Sequence, residues 1–239
     1  MIALLLALGA TATETPTIEE LLDATDDVAR GEHSIAVLEM QVKTSRYERT
    51  MKMQAWSRGQ ETTLIKILEP AKDAGITTLK VDDNIWNYLP KVDRTMKVPA
   101  GMMSGAWMGS HFSNDDLVKE SRLSEDFTYT MTATPDSDPD GNYVIELVPK
   151  PDAPVVWGKV ITRVSADRLP VDIRYYDEGG DLARTMAFSD VTDLGGRSVP
   201  ATMLLTPADK PEEFTRVTYV SLDFETDVPE SMFSLKSLR

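Results

Sequence analysis

The sequence predicts a mainly β protein with a few helices, built as one antiparallel sheet that curls into a barrel or a sandwich. Apolar and polar residues alternate with a period of two through most of the 239 residues. Short segments rich in Gly, Pro, Asp and Asn separate the alternating stretches, as in hairpins, and no strand–helix–strand pattern is present. Hydrophobic residues make up 41% of the chain, which is enough for a core, and this length is compatible with one domain.

The first residues are typical of an export signal. Met1–Ala10 is an apolar run, and Ala10-Thr11-Ala12 matches the small-x-small pattern that signal peptidase cleaves. The run is shorter than the ~20 residues of a membrane-spanning helix, and no later stretch reaches that length. We expect residues 1–12 to be a cleaved signal peptide and residues 13–239 to be one domain; a buried N-terminal strand is the alternative.

A single amphipathic helix is predicted next. Thr17 and Glu20 have the spacing of a capping box, and Gly31 is placed to end the helix. Its apolar face is formed by residues at three- and four-residue steps, namely Ile18, Leu21, Leu22, Thr25, Val28 and Ala29.

From Ile35 onward the period changes to two, which predicts strands. We estimate about eleven of them. The alternating stretches are residues 35–40, 47–56, 62–68, 77–81, 85–89, 95–98, 127–133, 143–148, 155–165, 171–176, 182–191, 199–205 and 214–224.

The segment between Val98 and Leu123 interrupts the strand pattern. Its large apolar residues, Met102, Met103, Trp107, Met108 and Phe112, are separated by Gly101, Gly105 and Gly109. Glycine loosens the backbone, and methionine provides adaptable apolar surface. The segment is therefore either a plug at one end of the core or a mobile lid over an apolar cavity. If it is a lid, truncating Trp107 or Phe112 should cost little stability but should weaken acyl binding.

Two motifs together resemble the LolA-like family of outer-membrane lipoprotein-sorting proteins. One is the hairpin W-x-Y-x-P at 86–90, followed by Arg94, and the other is M-G-S-H-F-S-N-D-D-L at 108–117. Glu69-Pro70 and Gly75 precede them, and the resemblance extends from Thr17 to Leu238. Family members usually have an acidic residue after the serine of M-G-S, whereas this chain has His111.

The resemblance implies an unclosed β-barrel, with helices and a loop as a lid over an apolar cavity for acyl chains. We expect seven residues to line or cover that cavity: Trp86, Tyr88, Met102, Met103, Trp107, Met108 and Phe112. The 12 methionines of the chain are consistent with a cavity that accepts flexible chains. The implied function is a soluble, monomeric periplasmic carrier of lipoprotein or lipid acyl chains, with an inner-membrane exporter as a further partner.

Composition excludes several other functions. With 25 basic and 39 acidic residues the net charge is −14, which disfavours binding to nucleic acid or to anionic membranes. The chain has no cysteine, and therefore no disulfide, thiolate metal site or lipidated cysteine. Only His33 and His111 provide imidazole groups, so we expect no metal and no cofactor.

No residue pattern indicates catalysis. Asp115 and Asp116 lie close to His111, but adjacent carboxylates diverge and do not flank a scissile bond. We expect Asp115 to cap a short helix that starts near Leu117. Three acidic residues in a Pro-rich turn, Asp136, Asp138 and Asp140, lack the terminal glutamate of a calcium loop and indicate a hairpin tip.

Two alternatives to the carrier stay open. The same half-barrel can act as an envelope sensor or as a partner module for a lipid exporter or a membrane regulator. A hydrolase is the other alternative, although the chain has no G-x-S-x-G, H-E-x-x-H, P-loop or dinucleotide-binding motif.

Overall fold

A computed structural model describes residues 15–119 and 126–239 and shows one antiparallel sheet of thirteen strands with two α-helices. The signal peptide predicted at residues 1–12 lies outside the described residues. The helices are α1 (Ile18–Asp27) and α2 (Asn114–Lys119). The strands are β1 (His33–Lys43), β2 (Glu48–Arg58), β3 (Thr62–Glu69), β4 (Thr77–Val81), β5 (Asn84–Leu89), β6 (Arg94–Lys97), β7 (Phe127–Ala133), β8 (Asn142–Pro149), β9 (Lys159–Ser165), β10 (Pro170–Tyr176), β11 (Leu182–Leu194), β12 (Arg197–Pro207) and β13 (Phe214–Asp223).

The sheet is not closed by hydrogen bonds. Its order is β6-β5-β4-β3-β2-β1-β13-β12-β11-β10-β9-β8-β7, so β6 and β7 are its two edges. The pairing of β1 with β13, for example Met40 with Val217, joins two hairpin series that run in opposite directions. The unclosed antiparallel sheet expected from the resemblance is confirmed. The strand estimate of about eleven was too low, because each of the thirteen alternating stretches contains one strand.

The edges β6 and β7 are consecutive strands, so the chain between them must pass from one edge of the sheet to the other. We call residues 98–118 the crossing segment. It contains short 3₁₀ turns at Ala100–Met102 and Trp107–Gly109, and then most of α2.

Each face of the sheet carries its own apolar cluster. Alternate residues of β1 from Ala36 to Val42 are buried on the inner face, where Leu21 and Leu22 of α1 pack against them. On the outer face, Leu64 and Leu79 are covered by residues that follow β13, including Phe233. Residues of one strand that lie two apart share a face, so this assignment extends along the paired strands.

The predicted helix α1 forms with its capping box. Glu20 N donates to Thr17 Oγ1 at 3.2 Å, and Thr17 N donates to Glu20 Oε2 at 3.0 Å. These bonds satisfy two backbone N–H groups at the start of the helix. The helix buries the side chains of Leu21 and Leu22 completely or nearly so. No helix within the described ranges combines the length and apolar character that crossing a membrane requires.

Candidate functional site

The crossing segment packs into the inner face of the sheet. Trp107 and Phe112 are only 5% and 7% exposed and belong to the main core cluster. Trp107 Nε1 donates a hydrogen bond of 3.1 Å to Thr78 Oγ1 on β4, and Thr78 Oγ1 donates to Asn87 Oδ1 on β5 at 2.7 Å. The indole thereby fastens the segment to the N-terminal half of the sheet.

A tight turn at Met108 and Gly109 brings the segment back on itself. Both residues have positive φ angles, 50° and 65°, and Trp107 N donates to Phe112 O at 2.8 Å across the turn. The Tyr47 hydroxyl donates to Gly109 O, and a Cβ at position 109 would lie 2.9 Å from that hydroxyl. A side chain there would require the Tyr47 hydroxyl to shift, and the positive φ of 65° disfavours any residue with a Cβ, which explains the glycine of the M-G-S motif.

His111 fastens the segment to the C-terminal half of the sheet. Its backbone N donates to Thr215 Oγ1 at 2.9 Å, its Nδ1 is 2.9 Å from the same hydroxyl, and its Nε2 is 3.2 Å from Glu213 Oε2. A hydrogen bond from the Ser45 backbone N–H and, to a smaller extent, one from His111 lower the pKa of the Glu213 carboxylate. His111 is therefore a docking residue between the segment and β13.

A second attachment to this half of the sheet is the Asp116–Arg184 ion pair. The two side chains are 14% and 12% exposed and form bonds of 2.6 and 2.8 Å in a bidentate arrangement. The Arg184 guanidinium also lies 4.6 Å from the ring centre of Trp157 and 4.4 Å from that of Tyr175. Burial alone would raise the pKa of Asp116, but the bonds and charge of Arg184, with bonds from Ser113, outweigh it and lower the pKa.

The cap of α2 differs from the prediction that Asp115 would cap a helix starting near Leu117. The helix begins at Asn114, and Ser113 takes the capping position. Asp116 N donates to Ser113 Oγ at 3.1 Å, while Ser113 N donates to Asp116 Oδ2 at 2.7 Å. Serine is the better cap here because its hydroxyl reaches the N–H three residues on and Asp116 bonds back to the Ser113 N–H.

The polar groups of the segment have the connectivity of a catalytic triad but not its accessibility. Thr215, His111 and Glu213 are connected in the order of a hydroxyl–imidazole–carboxylate triad. Thr215 is completely buried, however, and its hydroxyl already accepts the His111 N–H, so it cannot reach a substrate. Across residues 15–119 and 126–239, no group of three His, Asp or Glu side chains could hold a metal ion.

A groove of about 700 Å³ runs between the crossing segment and the β5–β6 edge of the sheet. The volume falls within the ~300–1,000 Å³ of typical ligand sites. Leu89 and Met96 form part of its wall on the sheet, and Met102, Trp107 and Met108 line it from the segment. A smaller void of about 120 Å³ lies deeper on the inner face, among Ala36, Ala55, Ile65 and Leu117 in particular.

The structure divides the seven residues predicted to share one cavity. Met102, Trp107 and Met108 line the groove, Met103 is half-buried in the segment, and Phe112 is in the core. Trp86 and Tyr88 instead pack against the outer-face cluster with Phe233. The structure thus places these residues in two groups on opposite faces of the sheet.

The strand register accounts for this separation. In the register, Leu79 pairs with Trp86 on the outer face, and Thr78 pairs with Asn87 on the inner face. The W-x-Y hairpin thus turns its aromatic rings outward, and the residues between and after them, Asn87 and Leu89, reach the groove. The alternation of the sequence indicates these two residues once the covered face is known.

Comparisons with known proteins agree with this architecture. A family model whose description is "Uncharacterized protein" matches residues 59–239, and no curated protein matches the chain. A DUF1329 family protein from Desulfovibrio piger ATCC 29098 has a similar structure, with a TM-score of 0.80 and 20% identity, over 92% of this chain and 96% of that one.

Two further structures have TM-scores of 0.75. One is a Vibrio parahaemolyticus domain named for outer membrane lipoprotein sorting, 21% identical over 91% of this chain and 97% of that one. The other is a LolA superfamily protein from Nitrosomonas europaea, 20% identical over 93% of this chain and 100% of that one. At these identities the likeness establishes the fold.

Proposed function

Since the chain belongs to the family matched over residues 59–239 and has the fold of LolA-like proteins, we propose that it is a periplasmic carrier of acyl chains. It binds the acyl chains of a lipid or lipoprotein and transfers them between membranes. The carrier acts as a monomer, is exported by the signal peptide at residues 1–12, and receives its cargo from an inner-membrane exporter.

The groove between the crossing segment and the β5–β6 edge is the observation that carries this proposal. It is large enough for a ligand and is lined by flexible methionine side chains at Met96, Met102 and Met108. Each methylene that moves from water into such a site contributes ~0.8 kcal/mol, so a chain of a dozen or more carbons dominates the binding free energy. Binding and release then need no covalent step.

Beyond the groove, the inner face is filled by Trp107 and Phe112 of the crossing segment. An acyl chain that enters further must displace these side chains, so the segment and the cargo compete for the same apolar surface. The apparent affinity is then the intrinsic affinity multiplied by the fraction of molecules in which the segment is displaced. Return of the segment to the inner face then favours release of the cargo.

The site favours this function over catalysis. His111 and Asp116, which a hydrolase would need as acid or base, are held by Glu213, Thr215 and Arg184. Both residues attach the segment to the sheet. A sensor or partner module would use the same groove.

Native mass spectrometry of the protein purified from the cell envelope tests the proposal directly. We expect bound acyl species that dissociate on activation and appear in a lipid extract of the same sample. Recovery of the protein without any acyl species, together with no affinity for a fluorescent fatty-acyl probe, would contradict the carrier function.

A disulfide across the segment tests its displacement, and the absence of native cysteine makes the experiment clean. His111 N lies 2.9 Å from Thr215 Oγ1. One covalent bond joins His111 N to its Cα, and two bonds join Thr215 Oγ1 to its Cα. The two Cα atoms are therefore close enough for the ~4.4–6.8 Å separation found in disulfides, and the double variant His111→Cys with Thr215→Cys can form one. We expect its oxidised form to bind the acyl probe at least about tenfold more weakly than its reduced form, or about 1.4 kcal/mol.

The matched control is Thr202→Cys with Thr218→Cys, a directly paired position of β12 and β13 away from the segment. Its affinity for the probe should not depend on oxidation. Equal binding by the oxidised and reduced forms of the His111–Thr215 variant would show that cargo enters without displacing the segment.

A further inference from the structure

A second groove adjoins the first at Met108. It has a volume of about 530 Å³ and is lined by Tyr47, Glu48, Arg49, Lys72, Met108 and Gly109. The first groove, of about 700 Å³, also reaches Met108 and includes Arg94 in its wall. The strained turn at Met108, with a φ angle of 50°, therefore stands where the two grooves meet.

The charges around this junction have the opposite sign from the protein as a whole. Four cations, Arg49, Lys72, Arg94 and Lys97, line the grooves, against one carboxylate, that of Glu48. The Lys97 ammonium lies 5.6 Å from the ring centre of Trp86, a residue of the outer-face cluster, which leaves Arg49, Lys72 and Arg94 at the junction. Glu48 accepts a hydrogen bond from Gln41 Nε2 at 2.8 Å. The whole chain carries a net charge of −14, so a cationic cluster at the mouth of an apolar groove is a local reversal of the field.

Arg49, Lys72 and Arg94 lack carboxylate partners in the described part of the chain. Other arginines have such partners: Arg58 pairs with Asp227 at 3.2 Å and Arg184 with Asp116. In residues 15–119 and 126–239, no carboxylate oxygen lies within 4 Å of the charged nitrogens of Arg49, Lys72 or Arg94. The Arg49 Nε is also buried without a hydrogen-bond partner among these residues.

Protection of a sheet edge explains only part of this arrangement. Charged side chains on an edge strand prevent pairing with other chains, and Arg94 begins the edge strand β6. Arg49 lies on the interior strand β2, however, and Lys72 follows β3. Neither position is at an edge, so a shared ligand is the better explanation for all three cations.

From this juxtaposition we propose that the cargo has a phosphate-bearing lipid headgroup, which Arg49, Lys72 and Arg94 bind while the acyl chain lies in the 700 Å³ groove. The proposal rests on the carrier function and specifies its substrate class. Arginine binds phosphate through charge-assisted, often bidentate hydrogen bonds, and lysine adds a compact positive charge. Met108 provides the apolar contact between the headgroup site and the groove.

The test compares two ligands with the same acyl chain below their critical micelle concentrations. Oleoyl lysophosphatidic acid carries a phosphate, and monoolein is uncharged. We expect the wild-type protein to prefer the phosphate lipid at least about tenfold in Kd, which corresponds to about 1.4 kcal/mol. The triple variant Arg49→Gln, Lys72→Gln, Arg94→Gln should lose this preference and bind monoolein as the wild type does.

Lys91→Gln is the matched control beside the same edge strand. Lys91 is exposed in the short turn that precedes β6, and it is not among the residues that line either groove. The control variant should keep the preference for the phosphate lipid. A loss of preference in Lys91→Gln as large as that in the triple variant would overturn the assignment of the three cations.

Each other outcome also decides between explanations. Equal affinity of the wild type for both lipids would overturn the headgroup proposal and leave the carrier function standing. Failure to bind either lipid would overturn the carrier function itself. Tight binding of inorganic phosphate alone, with no preference between the two lipids, would identify a free phosphate site. Self-association of the triple variant with unchanged preference would identify edge protection. Both results would overturn the proposal.

Discussion

Replacing Trp107 with alanine measures how firmly the crossing segment is held against the sheet. Trp107 is 5% exposed, packs in the main core cluster, and donates to Thr78 Oγ1 at 3.1 Å. A residue that merely covered a cavity would be partly exposed and would contribute little to the stability of the unliganded protein. The structure therefore predicts a large loss of stability, in contrast to the small loss expected if the segment is a mobile lid.

The magnitude follows from burial and the lost hydrogen bond. Truncating a buried tryptophan to alanine costs ~3–5 kcal/mol, to which the indole hydrogen bond contributes about 1 kcal/mol. For a loss of ~4 kcal/mol the Tm should fall by roughly 8–16 °C, at about 2–4 °C per kcal/mol for a chain of this size. Trp107→Phe keeps much of the ring and should cost only about 1 kcal/mol.

Urea unfolding and amide hydrogen exchange together form the assay. Met102 is the control within the same segment, because its side chain is 62% exposed and Met102→Ala should change the stability by less than ~0.5 kcal/mol. If the segment detaches before the sheet unfolds, Trp107→Ala should mainly reduce exchange protection in residues 98–118. A Trp107→Ala variant that matched Met102→Ala in both measurements would refute the packing of the segment into the core.

Three further predictions concern the ion pair, the hairpin aromatics and the N-terminus. Asp116→Asn should cost about 1.5–3 kcal/mol at pH 7, the range for hydrogen bonds to a charged group. Because folding lowers the pKa of Asp116, the wild-type advantage is present above its ordinary pKa of ~3.9 and is lost as the pH falls below that value, so urea unfolding at pH 7 and pH 2–4 should show the two proteins converging in acid. Trp86→Ala should lower the Tm but leave the affinity for the acyl probe unchanged, because Trp86 packs on the outer face; weaker probe binding would return it to the site. N-terminal sequencing of the envelope fraction should find cleavage after Ala12, and an intact Met1 in the cytosol would contradict export.

Local patterns in the sequence determine much of the fold. The alternation of apolar and polar residues locates all thirteen strands, because side chains of a strand point alternately to its two faces. The Thr17 and Glu20 pair locates the start of α1, because a capping box needs only groups three residues apart. The M-G-S motif and the W-x-Y-x-P hairpin indicate the correct fold, and the glycines mark the irregular crossing segment.

The composition of the site depends on contacts that no local pattern specifies. His111 meets Glu213 and Thr215 across more than 100 residues, and Asp116 meets Arg184 across 68. Both contacts exist because β1 pairs with β13 and because the chain passes between two distant edges of the sheet. The distance between these partners along the chain hides them from any reading of neighbouring residues.

The assignment of faces shows the same division. Alternation alone establishes that Trp86 and Tyr88 share one face of β5 and that Asn87 and Leu89 share the other. It does not establish which face the crossing segment covers, because both faces of this sheet carry apolar clusters. Only the tertiary packing, with α1 and the crossing segment on one side and the residues after β13 on the other, decides that the aromatic pair lies outside the groove.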